Sequence, residues 1–284
     1  MTDSVCAVVI TYHPQPEDFD NLVFIREQVQ YAVVVDNASD DRSLMSLREK
    51  CQSLDVHLIE NAANLGIAAA LNTGIRWAIS KGCEWVALFD QDSKPEPGFV
   101  EKLLLEFTLR RGHEKCGIMV PALADARSNR PLDFERTKTG ELLAVQTSGS
   151  VMPTVVFEQE GWFDESFFID CVDYDYCLRI KDRGWKFEQC RDALLRHKPA
   201  SYKEYRVLGR RIFAVTNYSA TRRYYRTRNI IWMFRKHWKT NLAFCLHLNW
   251  SNMKDLIKII VEQNRWEKWR AASRGFVDGI CGEL

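Results

Sequence analysis

The sequence predicts an α/β fold: a mostly parallel sheet flanked by helices, followed by a C-terminal helical extension. Three observations predict it. Short β-branched runs alternate with stretches of helical spacing through the first half. Polar residues collect where those runs stop, which is where open α/β sheets bind ligands. From about residue 200 the chain turns basic and aromatic, then reads as mainly helical.

Taken in order, "SVCAVVITYH" (4–13), "YAVVVDNAS" (31–39), "DVHLIENAAN" (55–64) and "EWVALFD" (84–90) read as buried parallel strands. Between them "PEDFDNLVFIREQV" and "SLMSLREKCQSL" have helical spacing, and "GIAAALNTGIRWAISKG" is a helix ending at Gly82. A helix over 99–111 leads into a strand in "KCGIMVPAL", and residues 124–141 are a polar, turn-rich excursion. The stretch from "AVQTSGSVMP" to "RIKDRGWKF" gives strand, short helix, turn and helix. "NLAFCLHLNW", "MKDLIKIIVEQ" and "RWEKWRAAS" follow as candidate helices.

The 284 residues suffice for one large domain or two small ones, with a division at residue 200. No window approaches the roughly 20 apolar residues that span a bilayer, and no secretory leader is read in the N-terminal run. A soluble or peripheral protein is expected. None of the nine cysteines forms a C-x-x-C pair, so reduced, buried thiols in a cytosolic protein are expected rather than a zinc site.

Net charge is +1, but it is unevenly spread. Residues 1–178 hold 15 Lys/Arg against 29 Asp/Glu, and residues 179–240 hold 18 against 4. So dense a basic segment is the footprint of an anionic partner: nucleic acid, a phosphorylated ligand or an acidic membrane face.

Four strand ends carry polar residues: Thr11, Tyr12 and His13; Asp36 and Asn37; Asn64, Leu65 and Gly66; Asp90 and Asp92. Singly, such residues form turns and cap helices. On one rim, an aromatic, an acid and helix-start amides together suit a nucleotide. Asp90 and Asp92 share a face of an extended strand and bring oxygen ligands for Mg2+ or Mn2+ beside a diphosphate. Asp170, Asp173 and Asp175 form a second acidic group, where crowding favours a raised pKa and a general base. A helix N-terminus complementing its dipole with acids is the structural alternative. His197 is a candidate third metal ligand.

The pieces "VVITYH", "VVVDNAS", "NLGIAAALNTGI", "WVALFDQDS", "GWFDESFFIDCVDYDYCLRIKDRGW", "YYRTRNIIWMFRKH" and "SRGFVDGICG" run through nearly the whole chain. In this order they resemble a family-2 glycosyltransferase of the GT-A fold, in the rhamnosyltransferase-like branch of bacterial polysaccharide and O-antigen synthesis. The resemblance implies a Rossmann-like GT-A domain over 1–200 that binds the nucleotide sugar and carries catalysis. Residues 201–284 would then face acceptor and membrane. It implies Tyr12 and Asp36 at the base, Asn64 and Gly66 beside the nucleotide, and Asp90 and Asp92 on the metal. Thr11, Asn37, Asn72 and Gln91 complete the expected nucleotide-sugar set. Asp173 matches the acid that deprotonates the acceptor, with Asp170 and Asp175 as contenders. His197 matches a metal-ligand position, although "HKPASY" departs from the usual His followed closely by Gly.

The implied reaction is inverting transfer of L-rhamnose from dTDP-β-L-rhamnose to a hydroxyl of a lipid-linked or growing glycan, with Mg2+ or Mn2+. The protein would be cytoplasmic and peripheral at the inner face of the bacterial membrane. There Tyr224, Tyr225, Trp232, Phe234 and Trp238, among the cations of 202–240, would meet anionic lipid. A family-2 transferase using a UDP- or dTDP-hexose is the alternative. A sugar-nucleotide pyrophosphorylase would open with a Gly-rich loop and a basic residue, and "VVITYHPQPEDF" has neither. The acidic first 178 residues oppose nucleic-acid binding.

Overall fold

The structure, a computed structural model, describes residues 4–110, 115–125, 128–197, 203–207 and 210–282. The chain forms two compact units, Met1–Glu165 with Tyr176–Lys198, and Ser166–Asp175 with Pro199–Leu284. The division near 200 read from the sequence differs in one respect: the segment Ser166–Asp175, with its three aspartates, groups with the C-terminal residues.

The first unit is built on β1 (Val5–Thr11), β2 (Tyr31–Asp36), β3 (His57–Glu60), β4 (Trp85–Asp90), β5 (Lys94–Pro95), β6 (Cys116–Asp125), β7 (Pro131–Leu132), β8 (Glu135–Arg136), β9 (Leu142–Ala144), β10 (Val151–Pro153) and β11 (Lys186–His197). The main sheet runs β3-β2-β1-β4-β10-β6-β11-β5, with β7 on the side of β6. β1 pairs in parallel with β2 and β4, and β2 with β3. β10 is antiparallel to β4 and β6, so the sheet is mixed at its centre. Helices α1 (Pro16–Arg26), α2 (Asp41–Ser53), α3 (Ile67–Ser80), α4 (Phe99–Arg110) and α5 (Thr154–Glu160) join the strands. The excursion at 124–141 is not bare loop, since it contains β7 and β8, and β8 pairs with β9.

All seven residues of β1 are buried, as expected of a strand covered on both faces. α3 lays an alanine-rich face on this sheet, with Ala68, Ala70, Ile75 and Ala78 fully enclosed. Gly74 allows the approach: a Cβ there would lie 2.3 Å from Val8 Cγ1. α6 (Val172–Lys181) gives its first residues to the second unit and the rest to the first.

The second unit holds a hairpin of β12 (Lys203–Val207) and β13 (Arg210–Val215), then α7 (Ala220–Lys258) and α8 (Arg265–Cys281). α7 is broken at Asn241 (φ −131°, ψ 42°) and turns back on itself there. Arg226 meets Asp255 at 3.3 Å and Cys245 Sγ meets the Met233 carbonyl at 3.5 Å. A straight helix would hold the first pair roughly 44 Å apart. The two candidate helices read from "NLAFCLHLNW" and "MKDLIKIIVEQ" are therefore one return arm, because no Gly or Pro interrupts 242–258.

α8 lies along the first arm of α7 through small residues. A Cβ on Gly275 would sit 2.3 Å from the Tyr224 carbonyl oxygen, and one on Gly279 2.9 Å from Ile231 Cβ. Among the described side chains of this region, most of the basic charge is answered within the unit. Arg222 pairs with Asp170, Arg223 with Glu262, Arg226 with Asp255 and Lys236 with Asp175. Arg228 and Arg235 donate to backbone carbonyls. Trp232 is 7% exposed, packed edge-on against Phe167. The sequence expectation of an open basic, aromatic face over 202–240 thus fails at these positions, because charges dense in sequence pair when helices fold back.

Candidate functional site

The strand-end residues of the first unit divide into those that shape the rim and those that face outward. Asp36, 1% exposed, accepts from Thr11 Oγ1 at 2.9 Å, Ser39 Oγ at 2.6 Å and Ser39 N–H at 2.8 Å. It locks the ends of β1 and β2 together. Asn37, also buried, donates to Asn64 Oδ1 and the Gly66 carbonyl and accepts from Asn61 and the Leu65 N–H. The loop before α3 is thereby fixed, and Gly66 takes φ 87°, a conformation that favours glycine. Asn64 is partly exposed at this loop and receives the Gly66 N–H. Tyr12 is 48% exposed, with its ring edge-on to His13 at 4.2 Å.

Asn72 does something else. It is fully buried, donating to the Phe163 carbonyl at 2.9 Å and to Glu165 at 2.8 Å, and accepting the Phe163 N–H at 3.1 Å. The structure places it as a clamp on the 163–165 loop, away from solvent, so burial and full use of its amide separate it from the outward-facing rim.

Asp90 and Asp92 stand partly exposed where β4 ends. Gln91 between them turns back into the chain, accepting from Tyr12 N–H at 2.8 Å and donating to Asp18 at 3.2 Å. Its carbonyl takes Asn21 Nδ2. The turn is further held by Ser148, which receives the Asp90 N–H and hydrogen-bonds Ser93 at 2.6 Å. Ser39, Ser148, Asp18 and Asn21 were missed by sequence reasoning, and only the fold brings them to the rim. Among the described residues no group of three or more His, Cys, Asp or Glu could hold a metal ion. His197 closes β11 opposite Asp125, and its side chain lies outside the described residues. The donor set at hand is therefore two carboxylates, hard oxygen ligands of the kind that Mg2+ and Mn2+ take together with phosphate oxygens.

In the second unit the three aspartates occupy three different environments. Asp170 is nearly buried and held by Arg222 through two bonds of 3.1 and 3.0 Å. Asp175 is sealed, with His237 Nε2 at 2.9 Å and Lys236 Nζ at 2.8 Å. Asp173 is partly exposed in the first turn of α6, its Oδ1 receiving the Tyr174 N–H at 2.9 Å. The preceding turn is strained: Phe168, Asp170 and Cys171 have φ of 60°, 64° and 64°. Asn229 holds it, donating to the carbonyls of Phe167, Ile169 and Asp170 at 2.7, 2.7 and 2.9 Å. Arg222 and Asn229 were also missed, although "YYRTRNIIWMFRKH" had singled out the stretch containing Asn229 and beginning two residues after Arg222.

Residues 23–154 match the profile of glycosyl transferase family 2. The chain is 30% identical over 299 residues to dTDP-rhamnosyl transferase RfbF of Shigella flexneri, covering 99% of this chain and 97% of RfbF. Its fold is similar to the mannosyltransferase PcManGT of Pyrobaculum calidifontis in complex with GDP-Man and Mn2+ (TM-score 0.59, 19% identity, 99% of this chain and 76% of that one). It is also similar to S. aureus TarS 1-349 in complex with UDP-GlcNAc (TM-score 0.60, 14% identity, 98% and 81%). The mixed sheet with its ordered rim and a relative alike from end to end lead to one assignment: the chain belongs to glycosyl transferase family 2.

Proposed function

We propose that this protein is an inverting glycosyltransferase that moves L-rhamnose from dTDP-β-L-rhamnose to a hydroxyl of a lipid-linked or growing glycan in cell-surface polysaccharide synthesis. The observation that carries this reading is the full-length likeness to the dTDP-rhamnosyl transferase RfbF. Tyr12 flanks the base, the Asn64–Gly66 loop and the start of α3 approach the diphosphate, and Asp36 and Asn37 keep that rim in shape. Asp90 and Asp92 would hold Mg2+ or Mn2+, since the carboxylates of two partly exposed residues at a braced strand end fit either ion. Bound there, the ion supplies positive charge for the departing diphosphate.

Asp173 takes the proton of the acceptor hydroxyl. The environments of its neighbours support this choice, because Asp175 is sealed and Asp170 is engaged by Arg222. A single displacement at the anomeric carbon gives an α-L-rhamnoside. We place the reaction in the cytoplasm, at the inner face of the membrane, a setting consistent with the free cysteines. The test is a donor panel of dTDP-rhamnose, UDP- and dTDP-hexoses and GDP-mannose, read by thermal stabilisation and by donor turnover, with Mn2+, Mg2+ and chelator. Preference for dTDP-rhamnose is expected; equal use of a UDP-hexose would overturn the donor assignment.

A further inference from the structure

The return arm of α7 is apolar on two opposite faces. Phe244, Cys245, Leu248 and Asn252 turn inward, at most 8% exposed. Leu242, Leu246, Trp250, Met253 and Ile257 turn outward, 47–63% exposed, and Ile260 and Val261 extend the stripe at 58% and 43%. At 100° per residue the five helical side chains fall within an arc of about 80°, centred opposite the inner face. So many large exposed side chains on one stripe mark a surface that something covers.

Charge identifies the cover. Between Trp238 and Val261 the only acid is Asp255, which pairs with Arg226 and Lys258. Lys254 is exposed beside the arc and His247 near it. Each exposed tryptophan has a cation over its ring: Lys239 on Trp238, Lys254 on Trp250 and Arg265 on Trp266, all at 5.8 Å. Large apolar side chains, tryptophan and long cations whose stems lie along them are the composition of a helix resting at the boundary of an anionic bilayer. A second copy of this arm would set Lys254 against like charge, with no exposed acid to answer it. The arm lies on the bilayer rather than crossing it, because no helix among the described residues is long and apolar enough to span one.

We infer that the outer face of the α7 return arm, centred on Leu246, Trp250 and Ile257, docks the protein on an anionic lipid surface. This extends the proposed transfer to a lipid-linked acceptor, but its test needs neither donor nor acceptor, so either reading can fail alone. The full chain is floated with vesicles of neutral phosphatidylcholine and with vesicles containing anionic phosphatidylglycerol, at low and high salt. Wild type is expected with the anionic vesicles at low salt. A variant carrying Leu246→Ser, Trp250→Ser and Ile257→Ser is expected to lose about tenfold or more in partitioning, and Lys254→Glu to lose binding in a salt-dependent way. Circular dichroism confirms that each variant is folded; these side chains are exposed, so unchanged melting is expected. Equal flotation of the triple variant would overturn the inference, as would absence of wild-type binding. A wild-type dimer in sedimentation that the triple variant converts to monomer, without vesicle binding, would assign the face to a second copy instead.

Discussion

Asp175 and His237 meet at 2.9 Å in a region closed to solvent, and Lys236 Nζ reaches the same carboxylate oxygen at 2.8 Å. An acid so enclosed holds helices together, whereas Asp173, two residues earlier, is only partly buried. The two positions should respond oppositely to the same chemical change. Asp175→Asn weakens a buried ion cluster and is expected to cost about 3 kcal/mol, read as a lower Tm. Asp173→Asn is expected to leave the melt nearly unchanged while transfer falls by about 10²–10⁴. Near-normal transfer by Asp173→Asn would move the base elsewhere.

The strained turn before α6 yields a second expectation. Three non-glycine residues with positive φ cost on the order of 1 kcal/mol or more each, and Asn229 offsets this with its amide on three carbonyls. Asn229→Ala should therefore destabilise the protein by about 2–3 kcal/mol in urea. Transfer should fall even at temperatures where the variant remains folded, because Asp173 follows the turn. An Asn229→Ala protein with wild-type activity would show that the turn does not need this brace.

The strands and the rim were legible because a buried parallel strand is a continuous β-branched run and its ligand edge is where that run stops. "SVCAVVITYH" and "EWVALFD" carry both signals within ten residues. The α7 hairpin was not legible, since its reversal at Asn241 lacks Gly or Pro and its evidence is pairing between residues such as Arg226 and Asp255. The roles of Asn72 and Gln91 were hidden for a similar reason: amide side chains look alike in sequence whether they face a ligand or a carbonyl. Asp170, Asp173 and Asp175 were visible as a group, but their burial depends on Arg222, His237 and Lys236, more than 45 positions away.

Close helix packing predicts the outcome of one methyl group. In an isolated helix, Gly→Ala favours folding by about 1 kcal/mol. At Gly275 the added Cβ would meet the backbone of Tyr224, its oxygen at 2.3 Å, where no side-chain rotation gives relief. Gly275→Ala is expected to lower stability by about 1–3 kcal/mol, whereas Ser273→Ala on the exposed side should be neutral or slightly stabilising. Differential scanning calorimetry of the two variants tests the packing directly.

The thiols make a pH prediction. Burial, with Asp36 adding to it, pushes Cys51 up to about 12, and burial pushes Cys245 up to about 11, both from an ordinary value of 9.0. A folded pKa raised in this way contributes stability that is complete below about pH 9. It is lost as pH rises through 11–12, because the unfolded chain ionises first. Of the nine cysteines only Cys281 is exposed. A thiol reagent at pH 8 is expected to modify Cys281 rapidly in the native protein, the partly exposed Cys116 more slowly and the other seven on unfolding; fast reaction of several of those seven would contradict the burial.

Asp90 and Asp92 should be separable from the residues that merely hold their turn. If both contact the ion, Asp90→Asn and Asp92→Asn each remove a negative ligand without removing bulk. Metal-dependent stabilisation by dTDP-rhamnose should then fall, with a higher Mn2+ concentration needed for half-maximal effect, while the melt without ligand stays close to wild type. Ser148→Ala acts differently: it removes the acceptor of the Asp90 N–H and the partner of Ser93, at a cost of about 1 kcal/mol or more. Its melt should drop even without metal. Isothermal titration with Mn2+ in the presence of dTDP distinguishes the cases, since the aspartate variants lose heat of binding and the serine variant retains it at low temperature. Unaltered Mn2+ binding by the Asp90→Asn and Asp92→Asn double variant would place the ion elsewhere in the protein.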